Sequence, residues 1–203
     1  MNKNPEKRLF EVAESQQGYF TSQQAVAAGY RITNHPYHVK NGNWIREYRG
    51  IYRLANFPND PDGQFVLWSL WSCNRKGEPQ GVYSFETALS IFEVSDIMPA
   101  KIHMTVPKTF RRNSKIPNVL VLHRSDLQEK DHRAMRGFRV TTPLKTVLDL
   151  LAAGKIEEKL IQQAISEFYK RGLLIRKDLL QIIEKEPSSA KFFIGKDKLE
   201  NRS

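Results

Sequence analysis

The sequence predicts an α+β fold from three observations. Apolar residues recur at helical spacing in several segments, short runs of β-branched residues lie between them, and a turn-rich stretch at residues 56–63 divides the chain. With 203 residues, 40% of them hydrophobic and including 11 Phe, the chain is long and apolar enough to bury a core. We therefore expect two domains, residues 1–57 and 62–186, followed by a polar C-terminal tail at residues 187–203.

The first domain is predicted to begin with two helices. An amphipathic pattern indicates the first at residues 5–16. The second is expected at residues 22–28, because Thr21 or Ser22 can accept hydrogen bonds from the amides of its first turn. Gly29 supplies the positive φ that ends this helix and forces a turn.

A short polar helix is predicted after the turn. Pro36 fits the first turn of a helix, where its missing N–H costs nothing, so the helix should start near Asn34 or His35 and stop at Gly42. One face is expected to pack against the domain and carries Ile32, His35, Pro36 and Val39. The other face is expected to point outward and carries Asn34, Tyr37, His38 and Asn41.

A basic hairpin is predicted next. The extended runs Trp44–Tyr48 and Ile51–Leu54 flank Arg49-Gly50, where the glycine permits the chain to reverse. A helix, a turn, a short polar helix and a basic hairpin follow one another in the order of a winged helix-turn-helix. That fold places its second helix in the major groove of DNA. The alternative is that these elements form an ordinary piece of an α+β domain.

The side chains of this region favour double-stranded DNA as the partner. Amides, imidazole and phenol on the outward helix face can hydrogen-bond base edges, and hairpin arginines can contact phosphate. The predicted DNA-binding residues are Asn34, Tyr37, His38, Lys40, Asn41, Arg46, Arg49 and Arg53. Glu47 would be repelled by phosphate, so it must point inward, pair with an arginine, or mark the hairpin as a weak contact.

The second domain is predicted to combine several packed helices with a small β-sheet. The elements expected from apolar periodicity and β-branched runs are helices at residues 64–71, 85–92 and 143–153, strands at residues 101–106, 119–123 and 138–141, and two further helices before Pro187. Ser84 is expected to cap the second of these helices and Thr142 the third.

Four phrases of this domain together resemble the AbiEi antitoxin family. They are SFETAL at residues 84–89, PAKIHMTVP at 99–107, VLHR at 121–124 and GFRVTTPLKTVLDL at 137–150. The first domain is also similar to the winged helix of that family, so the resemblance runs from about residue 11 to residue 180.

This resemblance implies a bacterial antitoxin of a type IV toxin-antitoxin system. Such a protein represses its own operon through the N-terminal domain. Its C-terminal domain counters a nucleotidyltransferase-like toxin encoded beside it, without needing a stable complex. The alternative is an orphan winged-helix regulator that has no toxin partner.

An enzyme is the least favoured interpretation. Glu157, Glu158 and Lys159, with Asp149 upstream, could be arranged as in a metal-dependent nuclease, but a solvated helix face explains them better. The histidines lack metal-ligand spacing, and Cys73 is the single cysteine. We therefore expect no catalytic residue, no metal and no cofactor.

A loop in the second domain is strongly basic. The segment 108–115 carries four cations in eight positions, Lys108, Arg111, Arg112 and Lys115. A solvated loop is the first interpretation. The alternatives are a second phosphate contact or a site for an acidic surface or RNA.

Net charge and hydropathy limit the environment of the chain. The net charge of +10 and pI of about 9.7 suit a polyanionic partner, although residues 1–60, 61–150 and 151–203 share the excess as +3, +4 and +3. No signal-like segment is present, and no apolar run approaches the ~20 residues that span a bilayer. We expect a cytoplasmic protein that does not bind membranes.

Overall fold

The computed structural model describes residues 4–58 and 60–192. Within them the chain is a mixed α+β structure with eight α-helices and two β-sheets, so the predicted fold class is confirmed at this level. The chain divides into two compact units, unit 1 (Met1–Val82 with Ala134–Arg139) and unit 2 (Tyr83–Arg133 with Val140–Ser203).

Unit 1 is built from short helices and an antiparallel sheet. Its elements are α1 (Pro5–Glu14), β1 (Tyr19–Thr21), α2 (Ser22–Ala28), a 3-10 turn (Ile32–Asn34), α3 (His35–Lys40), β2 (Trp44–Tyr48), β3 (Ile51–Leu54) and α4 (Gly63–Trp71). The helices and the hairpin strands lie where the sequence predicts them. The strand β1 was not predicted, because three residues are too few to show a period.

Both ends of α2 are fixed by local hydrogen bonds and backbone geometry. The Gln24 amide donates to Thr21 Oγ1 at 3.2 Å and the Thr21 amide donates to Gln24 Oε1 at 2.8 Å, which is a capping box. Gly29 ends the helix at φ 109°, and a Cβ there would lie 2.8 Å from Arg8 Nη2. Thr21, rather than Ser22, is therefore the N-cap.

The sheet of unit 1 has the strand order β1-β3-β2. Both pairings are antiparallel, with Thr21 opposite Ile51 and Trp44 opposite Leu54. Gly50, at φ 74°, allows the reversal between β2 and β3. Apolar side chains from α1, α2 and the sheet form the core of this unit: Leu9, Ala13, Phe20, Ala25, Ala28, Trp44 and Tyr52.

The helix α4 belongs to unit 1 although it follows the turn-rich segment. It packs against β1 and β3, and its Val66 and Trp71 side chains are buried. The structural division at Val82 consequently lies later than the predicted boundary at residues 57–62. Residues 134–139 also belong to unit 1, so the second unit begins and ends differently from the predicted domain.

Unit 2 combines a five-stranded sheet with helices. Its elements are β4 (Val82–Tyr83), α5 (Phe85–Phe92), β5 (Ile102–Val106), β6 (Leu120–Arg124), a 3-10 turn (Glu129–Asp131), β7 (His132–Ala134), β8 (Arg139–Thr141), α6 (Pro143–Ala153), α7 (Glu158–Lys170), α8 (Arg176–Lys185) and a 3-10 helix (Pro187–Phe192). The strand order is β6-β5-β4-β8-β7. The predicted strands correspond to β5, β6 and β8, whereas the short β4 and β7 were not predicted.

Parallel pairing sets which side chains of this sheet are neighbours. Strand β5 runs parallel to β6 with Thr105 opposite His123, and β4 runs parallel to β8 with Tyr83 opposite Val140. The helices form an apolar core with the residues Leu89, Val94, Val147, Leu150, Ile161, Ala164, Ile165, Phe168, Leu174, Leu179 and Ile182.

One predicted helix cap of this unit is confirmed and one is wrong. Thr142 Oγ1 accepts from the Lys145 amide at 3.4 Å at the start of α6. Ser84 precedes α5 but makes no capping hydrogen bond, because its Oγ accepts from Thr105 Oγ1 at 2.8 Å instead. The residue is buried, so its hydroxyl pairs with the sheet rather than with the first turn of the helix.

The beginning of the predicted polar tail is structured. Pro187–Phe192 form a 3-10 helix that packs against α8, and Ser189 within it is buried. The remainder of the predicted tail, residues 193–203, lies outside the described residues. In the part of the chain that the structure covers, no helix has the length and apolar character needed to cross a bilayer.

Candidate nucleic-acid interface

The helix α3 rests on a cluster of aromatic rings. Trp44, at the start of β2, is 3% exposed. Its ring stacks on His38 with centroids 4.6 Å apart and meets His35 edge-on at 5.2 Å. Tyr52 also meets His35, at 5.8 Å. These contacts hold both ends of a six-residue helix in place, although so short a helix would not be stable alone.

His35 is an unusual buried group in this cluster. The side chain is only 2% exposed, and neither ring nitrogen has a hydrogen-bond partner among the described residues. Burial lowers the pKa of this imidazole from its ordinary value, and the nearby His38 lowers the pKa further. His35 is therefore held neutral, and it packs as an aromatic residue.

The predicted packed face of α3 is wrong in two positions. His35 is buried and Val39 is half-buried, as expected, but Ile32 and Pro36 are exposed. Ile32 lies in the 3-10 turn before α3, where the residues do not follow α-helical angles, so its predicted direction does not apply. Pro36 occupies the first turn of α3, which confirms the predicted position of the proline in the helix.

Four of the predicted DNA-binding side chains in and beside α3 are exposed. They are Asn34, Tyr37, Lys40 and Asn41. Tyr37 is 60% exposed, which is high for a large aromatic residue. His38 differs from them, because it is half-buried and its ring stacks on Trp44. Its Nδ1 atom lies 3.5 Å from Nδ2 of the Asn43 side chain. His38 thus contributes to the base of the helix.

The three hairpin arginines have different environments. Arg46 and Arg49 are exposed on β2 and in the turn. Arg53 Nε donates to Glu47 Oε1 at 2.8 Å, and its Nη1 donates to the Phe57 carbonyl at 3.3 Å. The Arg53 side chain is 13% exposed. Glu47 is therefore paired with an arginine, and only Arg46 and Arg49 present a guanidinium to solvent.

An open cavity of about 450 Å³ lies beside α3. Asn4 and Glu6 at the start of α1 line it, together with Arg31 and Asn34. Arg31 is exposed and was not among the predicted residues. It lies directly before the 3-10 turn that leads into α3, and this position in the sequence was the available signal.

Unit 2 contains a cluster of titratable side chains that the sequence did not predict. His103 Nδ1 lies 3.1 Å from His123 Nε2 and 3.1 Å from Glu86 Oε2. The ring of Phe85 stacks on His123 at 3.9 Å, and Phe85 has φ 53°. Burial lowers the pKa of both histidines, more than the Glu86 charge raises it. Sequence spacing gave no signal for this cluster, because the parallel pairing of β5 with β6 creates it.

The carboxylates considered for a nuclease do not form a cluster. Asp149 pairs with Lys145 on α6, whereas Glu157 and Glu158 are exposed at the start of α7. His132, which like His103 and His123 has no metal-ligand spacing in the sequence, is half-buried on β7. Within residues 4–58 and 60–192, no group of three or more His, Cys, Asp or Glu side chains has an arrangement that could hold a metal ion.

The predicted basic loop lies between β5 and β6. Its four cations, Lys108, Arg111, Arg112 and Lys115, are all exposed. Phe110, in the middle of these cations, is 3% exposed. The loop therefore has an apolar anchor and a charged outer side.

Comparison with known proteins gives a fold and no family. No protein-family model matches the chain, and no curated protein matches it. Among solved structures, the crystal structure of the RV2827C protein from Mycobacterium tuberculosis aligns with a TM-score of 0.53 at 12% sequence identity. The alignment covers 92% of this chain and 73% of that chain. At this identity the likeness shows a shared fold alone.

Proposed function

We propose that the chain is a DNA-binding transcriptional repressor whose residues 1–57 form a winged helix-turn-helix. The observation that carries this proposal is the exposed polar side of α3 on a fixed aromatic base. Asn34, Tyr37, Lys40 and Asn41 are exposed there, while His35 and Trp44 are buried beneath. A rigid element that presents amide, phenol and ammonium groups fits the hydrogen-bonding pattern of the major groove.

Five of the exposed side chains have a specific role in this proposal. Asn34 and Asn41 would donate and accept with adenine edges, and Lys40 would donate to guanine or to phosphate. Arg46 and Arg49 would contact phosphates on either side of the groove, which fixes the position of the protein without reading sequence. With its side chains an α-helix is about 10–12 Å in diameter, so α3 can enter a major groove about 12 Å wide.

We also propose that the repressor is an antitoxin of a type IV toxin-antitoxin operon. The support is the resemblance of four phrases in residues 84–150 to the AbiEi family. In this proposal unit 2 counters a nucleotidyltransferase-like toxin, and unit 1 represses the operon that encodes both proteins.

Binding of the chain to the DNA upstream of its own gene tests the DNA-binding proposal. The full chain should retard a duplex from that region and should bind it at least about a thousand-fold more tightly than a scrambled duplex of the same composition. Equal affinity for both duplexes, or no binding to either at low salt, would remove the repressor function.

A further inference from the structure

Positive charge in unit 2 is concentrated in one stretch of the chain. Residues 97–125 contain six lysines and arginines and no aspartate or glutamate, while Asp96 and Asp126 flank the stretch. More than half of the net charge of +10 therefore arises within 29 residues. The net charges of residues 1–60, 61–150 and 151–203 do not show this concentration, because acidic residues on both sides of the stretch balance it.

The loop that carries most of this charge is fixed at its base. Arg124 Nη1 donates to the Phe110 carbonyl at 2.7 Å and to the Lys108 carbonyl at 3.2 Å. The Lys108 amide donates to Asp126 Oδ1 at 3.0 Å. With Phe110 buried as well, the first three residues of the loop are tied to the end of β6. The start of the loop is consequently held in place, so its backbone there loses less conformational freedom when the loop binds a ligand.

The chemistry of the exposed loop surface suits phosphate oxygens. Beside the four cations, Thr109, Asn113 and Ser114 are exposed and can donate hydrogen bonds. The one aromatic side chain, Phe110, is turned inward, so the loop offers no ring on which an unpaired base could stack. Many donors without a stacking platform are typical of contacts to the backbone of a duplex rather than to single-stranded nucleic acid.

We propose that loop 108–115 is a second DNA contact, which binds backbone phosphates of duplex DNA independently of sequence. This inference rests on the proposed function of unit 1, because that function brings the chain to duplex DNA. The loop would add affinity and salt dependence for every sequence, whereas α3 would supply the preference for the operator.

The test compares two charge-matched triple variants of the full chain. The loop variant is Lys108→Gln/Arg111→Gln/Lys115→Gln. The control is Lys159→Gln/Arg176→Gln/Lys177→Gln, which removes the same charge from exposed positions on α7 and α8. Fluorescence anisotropy measures binding to the upstream duplex, to an unrelated duplex and to an RNA hairpin of equal length, between about 50 and 200 mM salt.

The loop variant should lose affinity for both DNA duplexes by the same factor. The slope of the logarithm of its binding constant against the logarithm of the salt concentration should become shallower by about 0.9 for each phosphate that the loop no longer neutralises. The slope of the control should stay close to that of the wild type. Equal slopes for the loop variant and the control would overturn the proposal, as would loop-dependent binding that is tighter for the RNA hairpin than for DNA.

The same data separate this inference from the proposed function. Preference for the upstream duplex together with no effect of the loop variant would contradict the second contact alone. Loop-dependent binding without preference for the upstream duplex would contradict the repressor function and support the loop contact.

Discussion

At the residue scale, three histidines share one physical condition. His35, His103 and His123 are each packed against aromatic rings, and burial lowers the pKa of each imidazole. In the unfolded chain these imidazoles take up protons near their ordinary pKa of 6.5. The folded chain binds the same protons only at lower pH, so protonation favours the unfolded state.

Acid should therefore destabilise the protein. The contribution of these histidines to the free energy of unfolding should be constant above their ordinary pKa of 6.5 and should decrease as the pH falls from 6.5 through the lowered pKa values. Urea unfolding monitored by tryptophan fluorescence over a pH series measures this. His35→Leu should flatten the dependence because it removes one of the groups, and a slope equal to that of the wild type would contradict the account of His35.

The hairpin arginines give a second prediction at this scale. Arg46→Gln and Arg49→Gln should each reduce the salt slope of DNA binding by about 0.9, because each removes an exposed phosphate contact. Arg53→Gln should leave that slope unchanged and should lower stability by about 1 kcal/mol, because Glu47 and the Phe57 carbonyl lose their donor. Salt titration and urea unfolding of the three variants separate these roles. A reduced salt slope for Arg53→Gln would show that the Glu47 pair opens on DNA.

At the scale of elements, the position of α3 depends on how α2 begins and ends. The capping box of Thr21 and Gln24 fixes its first turn, and Gly29 redirects the chain toward the 3-10 turn. Thr21→Ala should lower the free energy of unfolding by about 1 kcal/mol, while Ser22→Ala, one residue later, should change it little. Urea unfolding measures both variants. No loss in Thr21→Ala, or equal losses in the two variants, would contradict the assignment of Thr21 as the N-cap.

Sequence periodicity predicted the longer elements well and the shortest ones poorly. The bounds of β2 and β3 agree with the prediction, because Gly42 and Gly50 mark the turns beside them. The bounds of α5 also agree, although Glu93 in the left-handed region, and no glycine, ends that helix. Strands β1, β4 and β7 have two or three residues and leave no periodic signal. Ile32 was placed wrongly because the 3-10 turn before α3 changes the angle per residue.

The candidate site was predictable where it is local in sequence. The four exposed side chains lie in one short segment of the sequence. The helical angle per residue predicted an outward direction for Asn34, Tyr37 and Asn41, and Lys40 is exposed beside them. The pairing of Arg53 with Glu47 was one of the alternatives that the sequence left open. The proximity of His103 to His123 was not predictable, because it depends on which strands pair and in which register.

At the scale of the whole molecule, repression and antitoxin activity should be separable by point substitution. A fragment that starts at residue 62 would lack the strands β1 and β3, against which α4 packs, and with them much of unit 1. Point variants of the full chain therefore test this separation better than a fragment does. Asn34→Ala/Asn41→Ala in the full chain should abolish repression of a reporter and should still rescue cells that express the nucleotidyltransferase-like toxin of the proposed operon. Loss of rescue at unchanged protein level would contradict the assignment of that activity to unit 2.

The central claim is that the exposed side of α3 binds operator DNA, and the affinity ratio between the upstream duplex and a scrambled duplex tests it most directly. Asn34→Ala/Asn41→Ala should reduce that ratio by at least about ten-fold, since each amide–adenine pair is worth about 1–3 kcal/mol. The control Asn118→Ala/Gln162→Ala removes two exposed amides from unit 2 and should leave the ratio unchanged. A ratio equal to that of the wild type in the α3 variant, with the protein folded, would contradict the claim.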